Sequence, residues 1–309
     1  MEFLAADRFV HYTPGSVLLR AALSGFIDYA GLFPPAGLDL ATTVANHDRY
    51  ARSPERSMLG RLVVPLARLD ELAAILSRSA GERDWAVSAL VTAADGYDAM
   101  ETSLARFHAP GRNGVTVTSV EAALPDAASV ARVRAATPEG LERFIEIPLD
   151  ETRDAWLDAV AAAECHAKVR TGGITSDRFP SSAALAGVLA ACARRHVPVK
   201  ATAGLHHAIR NAYSLTYELD SPSGMMHGFV NLLVAALVLQ SGAGGEDDAV
   251  RALETRDSRE FAFQTDAIRW DGWSFDAAAC EDTRAHLLRS VGSCSFEEPV
   301  TELRALGWI

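Results

Sequence analysis

The chain contains only two lysines, and they occupy equivalent places in two consecutive strand-like segments. Lys168 lies in residues 166–173, Lys200 lies in residues 197–204, and a helical stretch at residues 181–195 joins them. This pattern predicts one strand–helix–strand unit of a parallel sheet. A lysine inside a buried strand is unfavourable unless it has a partner or a task. Two neighbouring lysines are expected to lower each other's pKa, which makes an amine nucleophilic near neutral pH. The pair therefore predicts an imine-forming enzyme.

Further polar side chains are predicted to converge on these lysines. Asp28 and Glu146 belong to other strand-like runs, and Arg170 shares a face with Lys168 because side chains alternate along a strand. Buried cations repel each other, and such repulsion is hard to justify unless it tunes a pKa or binds an anion. We expect catalytic roles for Lys168, Lys200, Asp28, Glu146 and His227. We expect substrate-binding roles for Arg170, Thr171, Thr202, Gly204, His206, His207 and Asn231.

The elements that must position these residues alternate between strand-like and helical runs. Strands are predicted at residues 25–32, 60–65, 85–91, 114–120, 143–148, 165–171, 197–202 and 225–230. Helical stretches such as 69–79, 97–107 and 151–163 fall between most of them. Eight such units over roughly 220 residues are typical of an α/β (β/α)8 TIM barrel, whose reacting groups come from the carboxyl ends of the strands. An open doubly wound sheet is the alternative, but no GxGxxG turn follows the first strand.

The character of the sequence changes after Ser241. Residues 242–248 are rich in glycine and acidic residues, and the remaining tail carries three of the five tryptophans. The sequence predicts a barrel domain at residues 1–241 and a helical cap at residues 242–309 that packs outside it. A dimerisation arm and an active-site lid are the alternatives for the tail, and a homodimer is possible.

Composition and charge narrow the class of partner. A formal net charge of −11 argues against nucleic-acid binding, which requires a basic surface. No apolar run reaches membrane-spanning length, and residues 1–12 have no signal-peptide core. The four cysteines have no CxxC spacing, so reduced thiols are expected. We therefore expect a cytoplasmic enzyme that acts on a small molecule, without cofactor, nucleic acid or membrane.

Four short blocks resemble the strand motifs of the deoxyribose-phosphate aldolases. Asp28, in Ile-Asp-Tyr followed by Leu-Phe-Pro, is similar to their first-strand Ile-Asp-His-Thr-x-Leu-x-Pro. Glu146, in Phe-Ile-Glu-Ile, is similar to their fifth-strand Ile-Ile-Glu-Thr. Lys168, in Ala-Lys-Val-Arg-Thr-Gly, resembles their sixth-strand Ile-Lys-Thr-Ser-Thr-Gly, whose lysine forms the Schiff base. Lys200, in Val-Lys-Ala-Thr-Ala-Gly, resembles their seventh-strand Val-Lys-Ala-Ser-Gly-Gly, whose lysine assists proton transfer.

The resemblance implies a class I aldolase-like barrel with Lys168 as nucleophile, Lys200 as its electrostatic partner and Asp28 as a polar support. Two departures matter. The family's fourth strand carries an aspartate in the proton relay, and the nearest acid here is Glu121. Its eighth strand ends in a small-residue phosphate loop, whereas residues 225–231 here read Met-Met-His-Gly-Phe-Val-Asn. These departures favour a small carboxylate, ketone or aldehyde over a phosphorylated sugar, and they indicate a separate bacterial family.

Histidines provide the main alternative. His206, His207 and His227, with Glu146 or Asp28, could ligate a divalent metal at the barrel mouth for a lyase or hydrolase reaction. Adjacent strand residues point to opposite faces, so at most one of His206 and His207 is expected to face the site. Metal-free isomerase, lyase or hydrolase chemistry is a further alternative. A non-catalytic barrel that binds an anion between the lysines is the last.

Overall fold

The computed structural model describes residues 16–78, 85–92, 94–108 and 114–309. Two predictions fall partly or wholly outside these ranges: the absence of a signal-peptide core at residues 1–12, and Ser79 at the end of the predicted helix 69–79. The helices are α1 (Val17–Ala22), α2 (Leu40–Tyr50), α3 (Leu69–Leu76), α4 (Tyr97–His108), α5 (Val130–Ala135), α6 (Arg153–Ala162), α7 (Ser182–Arg195), α8 (Phe229–Gln240), α9 (Glu246–Glu254), α10 (Ala277–His286) and α11 (Glu297–Ala305).

Eight parallel strands close into a barrel, which confirms the predicted (β/α)8 fold. Seven of them follow the predicted order, and the eighth comes from the tail. The barrel strands are β1 (Ile27–Tyr29), β2 (Leu59–Pro65), β3 (Trp85–Thr92), β4 (Val115–Ala123), β5 (Glu142–Glu146), β6 (His166–Arg170), β7 (Val199–Thr202) and β13 (Leu288–Ser293). The strand β13 lies between β7 and β1 and pairs in parallel with both.

The predicted eighth strand at residues 225–230 is therefore wrong, and the barrel extends beyond the predicted boundary at residue 241. In the structure, β8 (Asn211–Ser214) and β9 (Ser223–Met226) form an antiparallel hairpin after β7. The helix α8 then begins at Phe229, and all its residues through Val238 are buried. A helix that is buried on every side packs inside a layer of other helices, and a short, mainly apolar run such as residues 225–230 cannot be told from a strand by pattern alone.

The rest of the tail is mixed rather than purely helical. The strands β10 (Phe261–Phe263), β11 (Ile268–Trp270) and β12 (Trp273–Phe275) form a small antiparallel sheet between α9 and α10. Hence residues 242–309 are not a helical cap: they supply one barrel strand, three helices and this sheet. Within the described ranges, we find no helix long and apolar enough to cross a bilayer. The predicted homodimer and cytoplasmic location stay predictions.

The joining helix α7 shows how local sequence positions the lysine strands. Ser181 caps its start, with the hydroxyl accepting a hydrogen bond from the Ala184 N–H at 3.1 Å. His196 ends it in the left-handed conformation, with φ of 53°. The outward-facing Ala167 and Val169 of β6 are fully buried beneath the helix layer. The side chains between them therefore point into the barrel.

Candidate active site

Lys168 and Lys200 lie side by side inside the barrel, as the spacing predicted. They are paired residues in the register between β6 and β7, and both side chains are almost completely buried. Glu146 on β5 is in turn paired with Lys168. Three neighbouring strands thus present two amines and a carboxylate to the same interior.

Lys200 is enclosed by carboxylates. Its Nζ lies 2.5 Å from Asp28 Oδ2 and 2.5 Å from Glu121 Oε1, and none of its surface is exposed. Burial alone would lower the pKa of Lys200, but the negative charges of Asp28 and Glu121 outweigh it and raise that pKa above the ordinary value. The prediction that the two lysines depress each other's pKa is therefore wrong for Lys200, because the expected repulsion is compensated by acids.

Glu121 is the residue that links the two lysines. Its Oε1 contacts Lys200, and its Oε2 lies 3.0 Å from Lys168 Nζ. Ser88 donates a hydrogen bond of 2.8 Å to Oε1, and Ser119 donates one of 2.8 Å to Ser88. Burial would raise the pKa of Glu121, but the two ammonium groups lower it well below its usual range. Glu121 was considered in the sequence but not selected as a site residue.

Asp28 supports the same network from β1. Its Oδ2 accepts from the Ser290 hydroxyl at 2.8 Å, and its Oδ1 accepts from the Arg61 backbone N–H at 2.6 Å. A Cβ at Gly60 would lie 2.2 Å from Asp28 Oδ1, so only glycine leaves room for this carboxylate. Asp28 is fully buried and contacts the Lys200 ammonium directly.

Lys168 is the lysine that meets solvent-accessible space. It lines a cavity of about 590 Å³ at the carboxyl end of the barrel, together with Glu121 and Thr202. Its Nζ also lies 3.2 Å from Oε2 of Glu146, a side chain that is 25% exposed. Loops after several strands complete the cavity, whose lining residues include Ala30, Phe33, Pro34, Pro35, Val63, Leu90, Gly173, Ile174, Thr175, Ala203 and Gly204. The volume suits a small molecule.

Two arginines stand at the same cavity. Arg170 is exposed at the end of β6, and its guanidinium has no hydrogen-bond or ion-pair partner within the described ranges. Arg178, which the sequence analysis did not select, lies 3.8 Å from Asp177 and is 70% exposed. A free guanidinium beside an otherwise compensated lysine network favours a substrate with a negative charge.

Thr171 and Gly204 have backbone roles at this edge. The buried Thr171 hydroxyl donates to the Ala203 carbonyl at 2.7 Å. Gly204 has φ of +71°, and a Cβ there would lie 2.6 Å from the Phe179 ring and 3.1 Å from Gly172 Cα. Glycine is needed because the strands β6 and β7 leave the barrel in close contact here.

The histidines separate into different environments. His206 is buried and lines the cavity, whereas His207 stacks on the Tyr213 ring with centroids 3.3 Å apart. Only one of the pair reaches the site, as alternation along an extended chain predicted. In the parts of the chain that the structure describes, no group of three or more histidine, cysteine, aspartate or glutamate side chains is arranged to hold a metal ion.

The prediction that His227 borders the cavity is wrong. Its Nε2 lies 2.8 Å from the Pro180 carbonyl oxygen and its Nδ1 lies 3.0 Å from Arg210. Burial lowers the pKa of His227 to about 4. Asn231 is also structural: its Oδ1 accepts from the Arg210 N–H, and its Nδ2 donates to carbonyls of Ala252 and Thr255. Both misplacements follow from the misassigned eighth strand, because these residues lie before and within α8.

A second polar cluster closes the amino-terminal end of the barrel. Glu142 on β5 pairs with Arg61 on β2 and with Arg289 on β13, whose Nε lies 2.9 Å away. Burial would raise the pKa of Glu142, but the two guanidinium groups lower it. Arg61 also donates to Thr118 on β4 at 2.9 Å. These contacts join four strands, and they were not foreseen from the sequence.

Comparison with known proteins identifies neither a family nor a function for this chain. No family profile matches the chain, and the search of curated proteins found no similar sequence. The function must therefore be argued from the geometry of the site.

Proposed function

We propose that this protein is a class I, Schiff-base lyase of the aldolase type, which acts on a small anionic carbonyl compound. The observation that supports this most is the different accessibility of the two lysines. Lys200 is sealed between Asp28 and Glu121, whereas Lys168 lines the cavity and lies beside the partly exposed Glu146. An imine requires one amine within reach of substrate and a group that moves its protons.

Lys168 supplies the nucleophile in this proposal. Glu146 takes a proton from the Lys168 ammonium, and the nitrogen lone pair then forms a bond to the substrate carbonyl carbon. Two of the three ammonium protons leave with the carbonyl oxygen as water, and the third stays on the iminium nitrogen. The positive charge between Glu121 and Glu146 is therefore the same before and after imine formation. The carboxylates that compensate the ammonium also stabilise the iminium.

The iminium then acts as an electron sink. A base takes the proton of the β-hydroxyl group, whose oxygen becomes the carbonyl of the released aldehyde as the Cα–Cβ bond breaks. The electron pair of that bond forms an enamine with the iminium carbon. A proton then returns to Cα, and water hydrolyses the iminium to release the second product from Lys168. Glu146, which lies 3.2 Å from Lys168 Nζ and is 25% exposed, carries these protons in this proposal. Arg170 binds the anionic group of the substrate, because its guanidinium faces the cavity without a protein partner within the described ranges.

The experiment is reductive trapping followed by intact-mass measurement. Wild-type protein is incubated with a panel of small aldehydes and 2-oxo acids, and borohydride is added. We expect a mass increment equal to the reduced adduct for accepted compounds. The matched variant is Lys168→Arg, which keeps a cation between Glu121 and Glu146 but cannot form an imine. If Lys168→Arg traps as well as wild type, or if no carbonyl compound traps and a divalent metal supports turnover, the proposal is wrong.

A further inference from the structure

The nearest polar contact of His206 among the described residues is with Cys294. Its Nδ1 lies 3.3 Å from Cys294 Sγ, and both residues line the cavity that contains Lys168. Each is buried, with 6% of its surface exposed. The sulfur also lies 3.7 Å from the hydroxyl oxygen of Tyr217, whose own hydrogen is donated to Glu298. The ring nitrogen of His206, at 3.3 Å from the sulfur, is a nearer acceptor for the thiol hydrogen than the Tyr217 oxygen at 3.7 Å.

The charge states of the two groups allow the Cys294 thiol to donate to the ring. Burial and, to a smaller extent, the neighbouring His207 lower the pKa of His206 to about 4. Burial raises the pKa of the Cys294 thiol to about 11. At neutral pH the imidazole is uncharged and the thiol keeps its hydrogen, and in this assignment the S–H donates and Nδ1 accepts. The ring hydrogen is then on Nε2.

The other polar neighbours do not compete for Nδ1. Glu298 Oε2 lies 3.7 Å from Nδ1, which is too long for a hydrogen bond. That oxygen instead accepts from the Tyr217 hydroxyl at 3.1 Å. His207 faces Glu302 and Tyr213 and makes no hydrogen bond to His206 among the described residues.

The second ring nitrogen has no acceptor of its own. Apart from Cys294 Sγ at 4.0 Å, Nε2 of His206 has no hydrogen-bond partner within the described ranges. A buried N–H without an acceptor is unfavourable. An oxygen atom in the cavity would satisfy it.

We propose that the Nε2–H of His206 binds a second oxygen of the substrate, and that Cys294 is the positioning residue that fixes the tautomer of His206. The inference rests on the proposed function and narrows its substrate class. The substrate carries an anionic group for Arg170, a carbonyl for Lys168 and a hydroxyl oxygen for His206. A small hydroxylated 2-oxo acid, the type of compound that an aldol addition yields, has these three groups.

The first test concerns the tautomer and does not depend on imine formation. Protein with ¹⁵N-labelled histidine is studied by NMR at pH 7, and the His206 signals are assigned from their loss in His206→Asn. We expect the Nε2–H form in wild type and in Cys294→Ser, whose hydroxyl can also donate, and a mixture of tautomers in Cys294→Ala. An Nδ1–H form or a charged ring in wild type would overturn the proposal.

The second test concerns the substrate. Borohydride trapping is titrated with 2-oxobutanoate and with 4-hydroxy-2-oxobutanoate, which differ by one hydroxyl group. One buried hydrogen bond predicts a half-saturating concentration about fivefold to tenfold lower for the hydroxy acid. The ratio should fall to about one in His206→Ala and be retained in Cys294→Ser and in His207→Ala, the adjacent histidine outside the cavity.

The outcomes separate the two proposals. If both acids trap on wild type with equal half-saturation, or if His206→Ala keeps the preference for the hydroxy acid, the role of His206 is wrong while imine formation stands. If neither acid traps on wild type or any variant, imine formation from 2-oxo acids is wrong, and the substrate assigned to His206 is wrong with it.

Discussion

Replacing Lys200 by methionine removes the cation on which the buried network depends. Methionine is similar in length to the lysine stem, so packing changes little, but the ammonium between Asp28 and Glu121 is lost. Asp28 keeps its hydrogen bonds from Ser290 and from the Arg61 N–H. Glu121 keeps the Ser88 hydroxyl and Lys168 at 3.0 Å. The variant therefore isolates the charge of Lys200.

The size of the expected destabilisation follows from the burial of Lys200 and its two carboxylate partners. Lys200, Asp28 and Glu121 are each at most 2% exposed, so solvent cannot replace the lost ammonium. Removing one partner of a buried ion pair costs about 3–5 kcal/mol because an uncompensated charge remains. We expect Lys200→Met to lower the free energy of unfolding at pH 7 by about this amount, since the remaining hydrogen bonds limit the added effect of the second carboxylate.

The direction in which this stability difference changes with pH follows from the pKa of Glu121. The pKa of Glu121 is lowered in the folded wild-type protein, so its stabilisation is present above the unfolded value near 4.5 and is lost as the pH falls towards the folded value. Lys200→Met removes much of that lowering. The stability difference between variant and wild type should therefore be full at pH 7 and smaller below about pH 4.5.

Urea denaturation from pH 4 to pH 8 measures these differences. The matched control is Lys200→Met combined with Asp28→Asn, which removes one uncompensated carboxylate and should recover about 1–2 kcal/mol relative to Lys200→Met alone. Two results would refute the claim that Lys200 balances the buried charges of Asp28 and Glu121. One is a decrease of less than about 1 kcal/mol in the free energy of unfolding of Lys200→Met. The other is a double variant whose decrease equals the sum of those of the two single variants.

Three further predictions concern the cavity and its edge. Glu146→Gln should slow imine formation by about 100-fold or more in rapid-quench trapping, because an amide cannot take the Lys168 proton; a wild-type rate would remove Glu146 from proton transfer. Arg170→Gln should raise the half-saturating concentration of carboxylated carbonyl compounds by about tenfold, with a smaller change for uncharged aldehydes; equal changes for both would contradict anion binding. Gly204→Ala should lower the free energy of unfolding, measured in urea, by about 1–3 kcal/mol because the new Cβ would contact Phe179. The control is Gly96→Ala, where φ is +73° but nothing lies within 4 Å of the new Cβ, and it should lose less. Equal losses in the two variants would mean that backbone strain alone explains the effect at Gly204.

The lysine pair was predictable because β6 and β7 are short and regularly paired. Side chains alternate strictly along such strands, so the outward Ala167 and Val169 determine that Lys168 points inward. The inward orientation of Glu121 was harder to predict because the pairing of β4 with β3 skips Thr118. This irregularity shifts the inward-facing positions by one residue, and counting along the sequence cannot detect it.

The eighth strand was missed because its inner face is polar and small. Ser290 in β13 donates to Asp28, and a Cβ at Gly292 would lie 3.1 Å from Thr202 Cγ2. The interior chemistry thus requires residues that weaken the apolar pattern of the strand. Residues 225–230 were predicted as the strand instead, although they cover the end of β9 and the start of α8, and His227 and Asn231 were misassigned with them.

The most direct test of the central proposal is to locate the trapped adduct. The chain has only two lysines, so peptide mapping after borohydride reduction with an accepted carbonyl compound distinguishes Lys168, Lys200 and the terminal amine. Since Lys168 lines the cavity and Lys200 is sealed beneath it, we predict the reduced adduct on Lys168 alone, and none in Lys168→Arg. An adduct on Lys200 or on the terminal amine, with Lys168 unmodified, would contradict the assignment of Lys168 as the nucleophile.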